Sequence, residues 1–216
     1  MKDSGRLTLG ADALASLEAR VADDPILSNA FRLMRDASLL FDHGRFASTV
    51  ALASLALEEI GKYTLRTWSA QDPRFTFDKR RLHVMKQSAV AALFMMERIR
   101  RTYRERNFDF SKLRSAEGVA ELAALIIESL EKERDSASAV VNQILEVVKW
   151  SGMYYDDDLA KKGVEPSRMT AEYARSIMET VSRAFIAIAD EGTLKLAAYA
   201  FPYLYPPAMK PRHSNN

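Results

Sequence analysis

Three short stretches of the chain concentrate the residue types that could do chemistry. Glu58, Glu59 and Lys62 stand in ALEEIGKY, His83 and Lys86 in RLHVMKQ, and Tyr154 and Asp156 in SGMYYDDD. Imidazole, whose ordinary pKa is about 6.5, can take and return a proton at neutral pH, and a nearby cation can stabilise charge developing on a phosphate. His83 has such cations: Lys86 follows it by three residues, and on a helix Arg80 and Gln87 fall on its side at i−3 and i+4. A His flanking a core seam serves equally well as a structural hydrogen-bonder. Glu58 and Lys62 are open to the same double reading. They can form an ordinary i,i+4 pair worth roughly 0.2–0.5 kcal/mol, or stand with Glu59 at the mouth of a cleft between helices. Of the other histidines, His43 reads as a helix-end residue complementing the dipole, and His213 lies in the tail.

Ala47, Ala51, Ser54, Glu58 and Lys62 share one helix face, so a strip of small residues leads to the charged group. Gly61 lies beside it. A glycine inside a helix costs about 1 kcal/mol relative to Ala, and close approach of another backbone is the reason that fits here. From Lys79 to Arg106 there are nine Lys or Arg against two acids, Glu97 and Glu105. Such a stripe can track a phosphate backbone, with Arg80, Arg81, Arg98 and Arg101 as contacts. A solvated face opposite Glu128, Glu131 and Glu133 would have the same sequence.

Several other chemistries are excluded or disfavoured. The chain has no Cys, which removes thiolate nucleophiles, disulfides and Cys metal sites. Di-iron bundles require Glu-x-x-His, but Leu40, Arg80 and Lys210 stand three before His43, His83 and His213. Gly-rich phosphate loops and the metalloprotease motif are missing, and the run Asp156 to Asp158 is a weak cation signal alone. No metal and no cofactor are expected.

The elements that must position these residues are helical. With 216 residues, 48% hydrophobic and 28% charged, and only 8 Gly and 7 Pro, the chain predicts one soluble all-α domain. Asp24-Pro25 reads as a cap and first helical residue and Gly44 as the stop, giving a helix over 25–43 with Phe31, Met34, Ala37, Ser38 and Phe41 at core spacing. A weaker helix precedes it over 11–22. The run 46–68, uncharged throughout its first half, predicts the central helix. Helices over 78–103, 115–150 and 167–190 follow, the second with an all-round polar middle, EKERDSAS, that fits a solvated face or a kink. Between the last two runs SGMYYDDDLAKKGVEP, the long irregular segment. The prolines of FPYLYPPAMKPRHSNN predict an irregular end, so residues 1–200 are taken as the domain and 201–216 as a Pro-rich tail. The longest uncharged helical run, Phe46 to Leu57, is 12 residues, short of the roughly 20 a membrane span requires, and the start of the chain has no signal-peptide pattern. No membrane association is expected.

GRFASTVALASLALEEIGKY, RLHVMKQ and VKWSGMYYDDD, in this order, resemble the AbiV family of abortive-infection proteins over about residues 25–190. The resemblance rests on aromatic-Ala-Ser leading to Ala-x-Glu-Glu-hydrophobic-Gly-Lys at Phe46 to Lys62, His-x-x-Lys at His83 to Lys86, and Gly-x-Tyr-x-Asp at Gly152 to Asp156. It implies a HEPN-like bundle of about five to seven helices, a cytoplasmic location in a bacterium, a homodimer and a role in defence against phage. It also implies RNA as a candidate substrate or ligand, with capture of a phage or host protein as the alternative. HEPN ribonucleases act without metal through Arg, four to six residues, then His. Here Arg80 and Arg81 precede His83 by three and two positions, and Arg74 by nine, so the chain departs from that pattern. Glu58, Glu59, Lys62, His83, Lys86, Tyr154 and Asp156 are the positions the resemblance carries over.

Overall fold

Capping side chains determine where several of the helices start. The computed structural model describes residues 11–71, 82–141 and 166–204. Within them lie α1 (Ala11–Asp23), α2 (Pro25–Asp42), α3 (Phe46–Gln71), α4 (Leu82–Glu105), α5 (Ala116–Val141), α6 (Ala171–Ala189) and α7 (Glu191–Leu204), with 3-10 turns at Phe110–Arg114 and Pro166–Arg168. Among the described residues there is no strand. Asp24 Oδ1 accepts from the N–H groups of Ile26 (2.9 Å) and Leu27 (3.2 Å), satisfying donors that the first turn of α2 leaves open. Thr170 does the same for α6 through the Tyr173 N–H, and Asp190 for α7 through the Thr193 N–H. At the other end of α2, His43 approaches the Leu39 carbonyl through Nδ1 at 2.8 Å, and Gly44 turns the chain at φ +68°.

Helix α3 is central, packing against α2, α4, α6 and α7. Its small and apolar residues make that possible: Val50, Ala53, Ala56, Ile60 and Trp68 are fully buried. Two of its hydroxyls would be stranded there, but Thr64 and Thr49 each donate to the carbonyl four residues back. Trp68 donates its indole N–H to the Leu194 carbonyl at 2.9 Å and packs against the Phe201 ring, tying α3 to α7. α5 packs mainly on α4 and on the turn preceding it, at the side of the bundle.

Two sequence expectations are corrected. The seam of α2 runs through Leu27, Ala30, Leu33 and Ala37, while Phe31 remains 50% exposed, its ring edge-to-face with that of Phe185. α7 continues to Leu204 through Pro202, four residues into the stretch read as irregular. Pro202 lacks one N–H near the end of the helix, and the burial of Phe201 against Trp68 offsets that loss. The expected start of α4 at 78 and end of α5 at 150 lie outside the described residues. The polar middle of α5 is helical as far as Val141, and its Glu133 is buried.

Candidate functional site

The site forms where α3 and α4 come closest. A methyl group on Gly61 would lie 2.4 Å from the Lys86 carbonyl oxygen, so glycine alone lets the two backbones meet. This is the close contact that a glycine inside a helix predicted. It brings the Glu58 carboxylate between two groups of α4: Oε2 is 3.4 Å from His83 Nδ1 and 3.9 Å from Lys86 Nζ. Glu58 and Lys86 are each 14% exposed, whereas the His83 side chain is 51% exposed. A carboxylate beside Nδ1 favours the tautomer protonated there, which leaves the lone pair on Nε2. The geometry is that of an oriented imidazole at the surface, backed by a shielded carboxylate and a shielded ammonium.

Neighbouring residues divide differently from the spacing argument. Lys62 meets Glu59 at 3.4 Å, three residues back on its own helix, and both lie toward solvent. Of the two readings of Glu58 and Lys62, the i,i+4 pair gives way to contacts of Glu58 across helices, because the approach at Gly61 puts α4 within reach of Glu58. The small-residue strip leading to Glu58 is covered by the chain itself, with Ala51 and Ser54 each 2% exposed. Tyr154 and Asp156, and with them Arg80 and Arg81, lie outside the described residues.

The basic stripe is largely answered by acids. Arg100 and Arg104 reach Asp190 at 3.2 and 2.9 Å, Arg106 reaches Glu128 at 3.2 Å, and Arg101 lies 3.7 Å from Glu97. Burial works against the charge on Asp190, but the Thr193 N–H and the two guanidinium groups outweigh it and hold the carboxyl below its ordinary range. Arg98 is half-buried and has no ion-pair partner among the described residues. Of the acids that sequence set against the stripe, Glu128 plays that part, and Glu133 is engaged elsewhere.

Glu133 belongs to a cluster that sequence reasoning did not assemble. Arg183 of α6 bridges Glu97 of α4 (2.6 and 3.0 Å) and Glu133 of α5 (2.7 and 2.8 Å), donates to the Phe94 carbonyl at 3.3 Å, and stacks over the Phe94 ring at 4.7 Å. Burial disfavours the cation, but the bonds to Glu133 and the charges of both carboxylates raise the Arg183 pKa above its ordinary value. The partners are separated by 86 and 50 residues, so no local spacing pointed to them.

Among the described residues, no group of three or more His, Asp or Glu is placed to hold a metal ion, and no helix is long and apolar enough to cross a membrane. Compared with known proteins, the chain matches the AbiV family, of HEPN type, over residues 18–185. No curated protein and no solved structure matches it. The match takes in most of the chain and includes α2 to α5 entire, Glu58, His83 and Lys86 among them, so the protein belongs to the AbiV family.

Proposed function

We propose that the protein is an abortive-infection effector acting on RNA, with Glu58, His83 and Lys86 as its reactive centre. One observation carries the reading: a half-exposed imidazole held by a shielded carboxylate, with an ammonium group on the same carboxylate oxygen. In cleavage without metal, a ribose 2′-hydroxyl attacks the adjacent phosphorus. Its proton passes to a base, the bond to the 5′ oxygen breaks, and that oxygen takes a proton from an acid. Products are a cyclic phosphate and a 5′-hydroxyl end. His83 supplies one of these proton transfers, Lys86 with Arg80 offsets charge on the phosphoryl oxygens, and Glu58 orients the ring, with Lys62 and Glu59 flanking it.

The ion pairs along α4 favour this compact centre over an extended groove lined by Arg98 and Arg101. The test is incubation of purified protein with labelled total and phage RNA in EDTA, comparing wild type with His83→Gln. Wild type is expected to cleave and His83→Gln to lose at least about a hundredfold in rate with an unchanged circular dichroism spectrum. Equal cleavage by both would remove His83 from the chemistry. Intact RNA with both proteins would overturn the ribonuclease reading and favour capture of a phage or host protein.

A further inference from the structure

α4 buries eight consecutive residues, Gln87 to Phe94, and seven of them are small or apolar. Gln87 is the exception, carrying a primary amide into that run at 5% exposure. Among the described residues, its Oε1 is sealed from water and accepts no hydrogen bond. Its own helix has nothing to offer, because in the interior of an α-helix each backbone N–H is committed to the carbonyl four residues back. The hydroxyls of Ser54 and Ser88 are sealed and unanswered as well. A turn about one bond brings a helical serine to its i−4 carbonyl, the bond that Ser129 makes, so these two need no other partner. A glutamine acceptor has no such remedy and requires a donor from outside its helix.

The place of Gln87 narrows what that donor can be. It stands one turn after His83 on the same side of α4 and next to Lys86 in sequence. Long side chains on a helix lean back over the preceding turn, which here carries the half-exposed imidazole. The stem is flexible, and an amide that holds no hydrogen bond gives none up when it swings toward a ligand at His83. Because the unanswered atom is an acceptor, a phosphate oxygen does not satisfy it. A ribose 2′-hydroxyl has a single proton, which cleavage sends to the base. The nucleobase remains: its edge sets an N–H beside an acceptor, and the glutamine amide, acceptor beside donor, pairs with such an edge in plane. Amino and imino groups sit at different depths in purines and pyrimidines, so a seat at a fixed distance from the phosphate suits one base best. We infer that Gln87 reads the base of the nucleotide adjoining the cleaved bond, accepting from its amino or imino N–H. This rests on the ribonuclease reading of Glu58, His83 and Lys86 and adds specificity to it, with no part for Gln87 in the proton transfers.

The experiment maps cleavage ends on a mixed-sequence RNA by sequencing, for wild type, Gln87→Leu and Gln87→Met, and records the melting curve of each. Wild type is expected to favour one base at the cut by at least about tenfold, and both variants to cut with preferences within about twofold, since a polar seat rejects bases that leave it unanswered. N-methylation of the favoured base, which removes the donor, should slow wild type by at least about tenfold and leave the variants unaffected. Gln87→Leu should also melt about 2–4 °C higher, because leucine fills the seat without an unanswered acceptor. A glutamine that serves only the fold gives the opposite pair of results, a lower melting temperature and an unchanged base preference, and that pair overturns the inference. A wild type that cuts with the same preference as Gln87→Leu removes the inference alone and leaves the reactive centre standing. A wild type that does not cut RNA removes the reactive centre, and the inference with it.

Discussion

Two clusters each set glutamate carboxylates against basic side chains across helices, and they differ in almost every physical respect. Around Arg183, every contact to Glu97 and Glu133 is 3.0 Å or shorter, each carboxylate is at most 10% exposed, and the guanidinium plane is further fixed by the Phe94 carbonyl and ring. Around Glu58, contacts are 3.4 and 3.9 Å, and the imidazole is half in water. A planar guanidinium between two buried carboxylates satisfies its donors where it stands and serves to join α4, α5 and α6. The looser cluster keeps a titratable ring at the surface, where a substrate can change its contacts. Tightness and burial here separate the cluster that joins three helices from the one proposed as the reactive centre.

The comparison breaks most readily at Arg183. Replacing it by Met keeps much of the side-chain volume but leaves Glu97 and Glu133 buried without their cation. Removing one partner of a buried ion pair costs about 3–5 kcal/mol, which for a chain of this size lowers the melting temperature by roughly 10 °C. Urea denaturation of Arg183→Met and of Glu58→Gln gives the contrast directly. Glu58→Gln is expected within about 1 kcal/mol of wild type, since its contacts are long and its imidazole partner is solvated. Its effect should fall on RNA cleavage, lowered at least about tenfold as the ring loses its orienting charge. If Glu58→Gln costs more stability than Arg183→Met, the roles of the two clusters are reversed.

Gly61→Ala tests whether the looser cluster depends on backbone approach. In an unobstructed helix this substitution would stabilise by about 1 kcal/mol. Here the new methyl meets the Lys86 carbonyl at 2.4 Å, and displacement of packed helices costs about 1–3 kcal/mol, so a net loss of about 1 kcal/mol is expected. Cleavage should fall as well, because moving α4 outward carries His83 and Lys86 away from Glu58. A stabilised and fully active Gly61→Ala variant would show that the cluster does not need the close contact.

How much of this was legible in sequence follows the range of each interaction. The start of α2 at Asp24 and Pro25 and its end at Gly44 involve neighbours in the chain, and local spacing located them. Gly61 was legible by its cost inside a helix, though not its partner. Phe31 was misplaced because α2 carries apolar residues on two faces, and periodicity alone does not say that Leu27, Ala30 and Leu33 form the buried one. The group Glu58, His83 and Lys86 was nominated by residue type and family pattern, but its pairing crosses from α3 to α4, which no spacing encodes. For Arg183 even the nomination was missing, and Glu97 and Glu133 were read only against the basic stripe: an arginine in an amphipathic helix looks solvated until three helices are packed around it.

Asp190 carries the smallest expected effect and sharpens the comparison by lying between its extremes. It caps α7 through the Thr193 N–H and also receives Arg100 and Arg104, yet its side chain is 30% exposed. Asp190→Asn retains a good cap and removes only the charge, so the loss at neutral pH should be about 0.5 kcal/mol after solvent screening. Asp190→Ala removes the cap as well and should cost about 1 kcal/mol more. The pH dependence carries the sign. The folded pKa of Asp190 is depressed, so the folded chain binds this proton less readily than the unfolded one. The stabilisation is therefore complete above the ordinary aspartate pKa of about 3.9 and fades as pH falls through the lower folded value. Melting curves of wild type and Asp190→Asn should differ at pH 7 and converge in that acid window. A difference that persists unchanged there would mean that the carboxylate acts through its shape at the start of α7, and that its pairing with the basic helix contributes nothing to the fold.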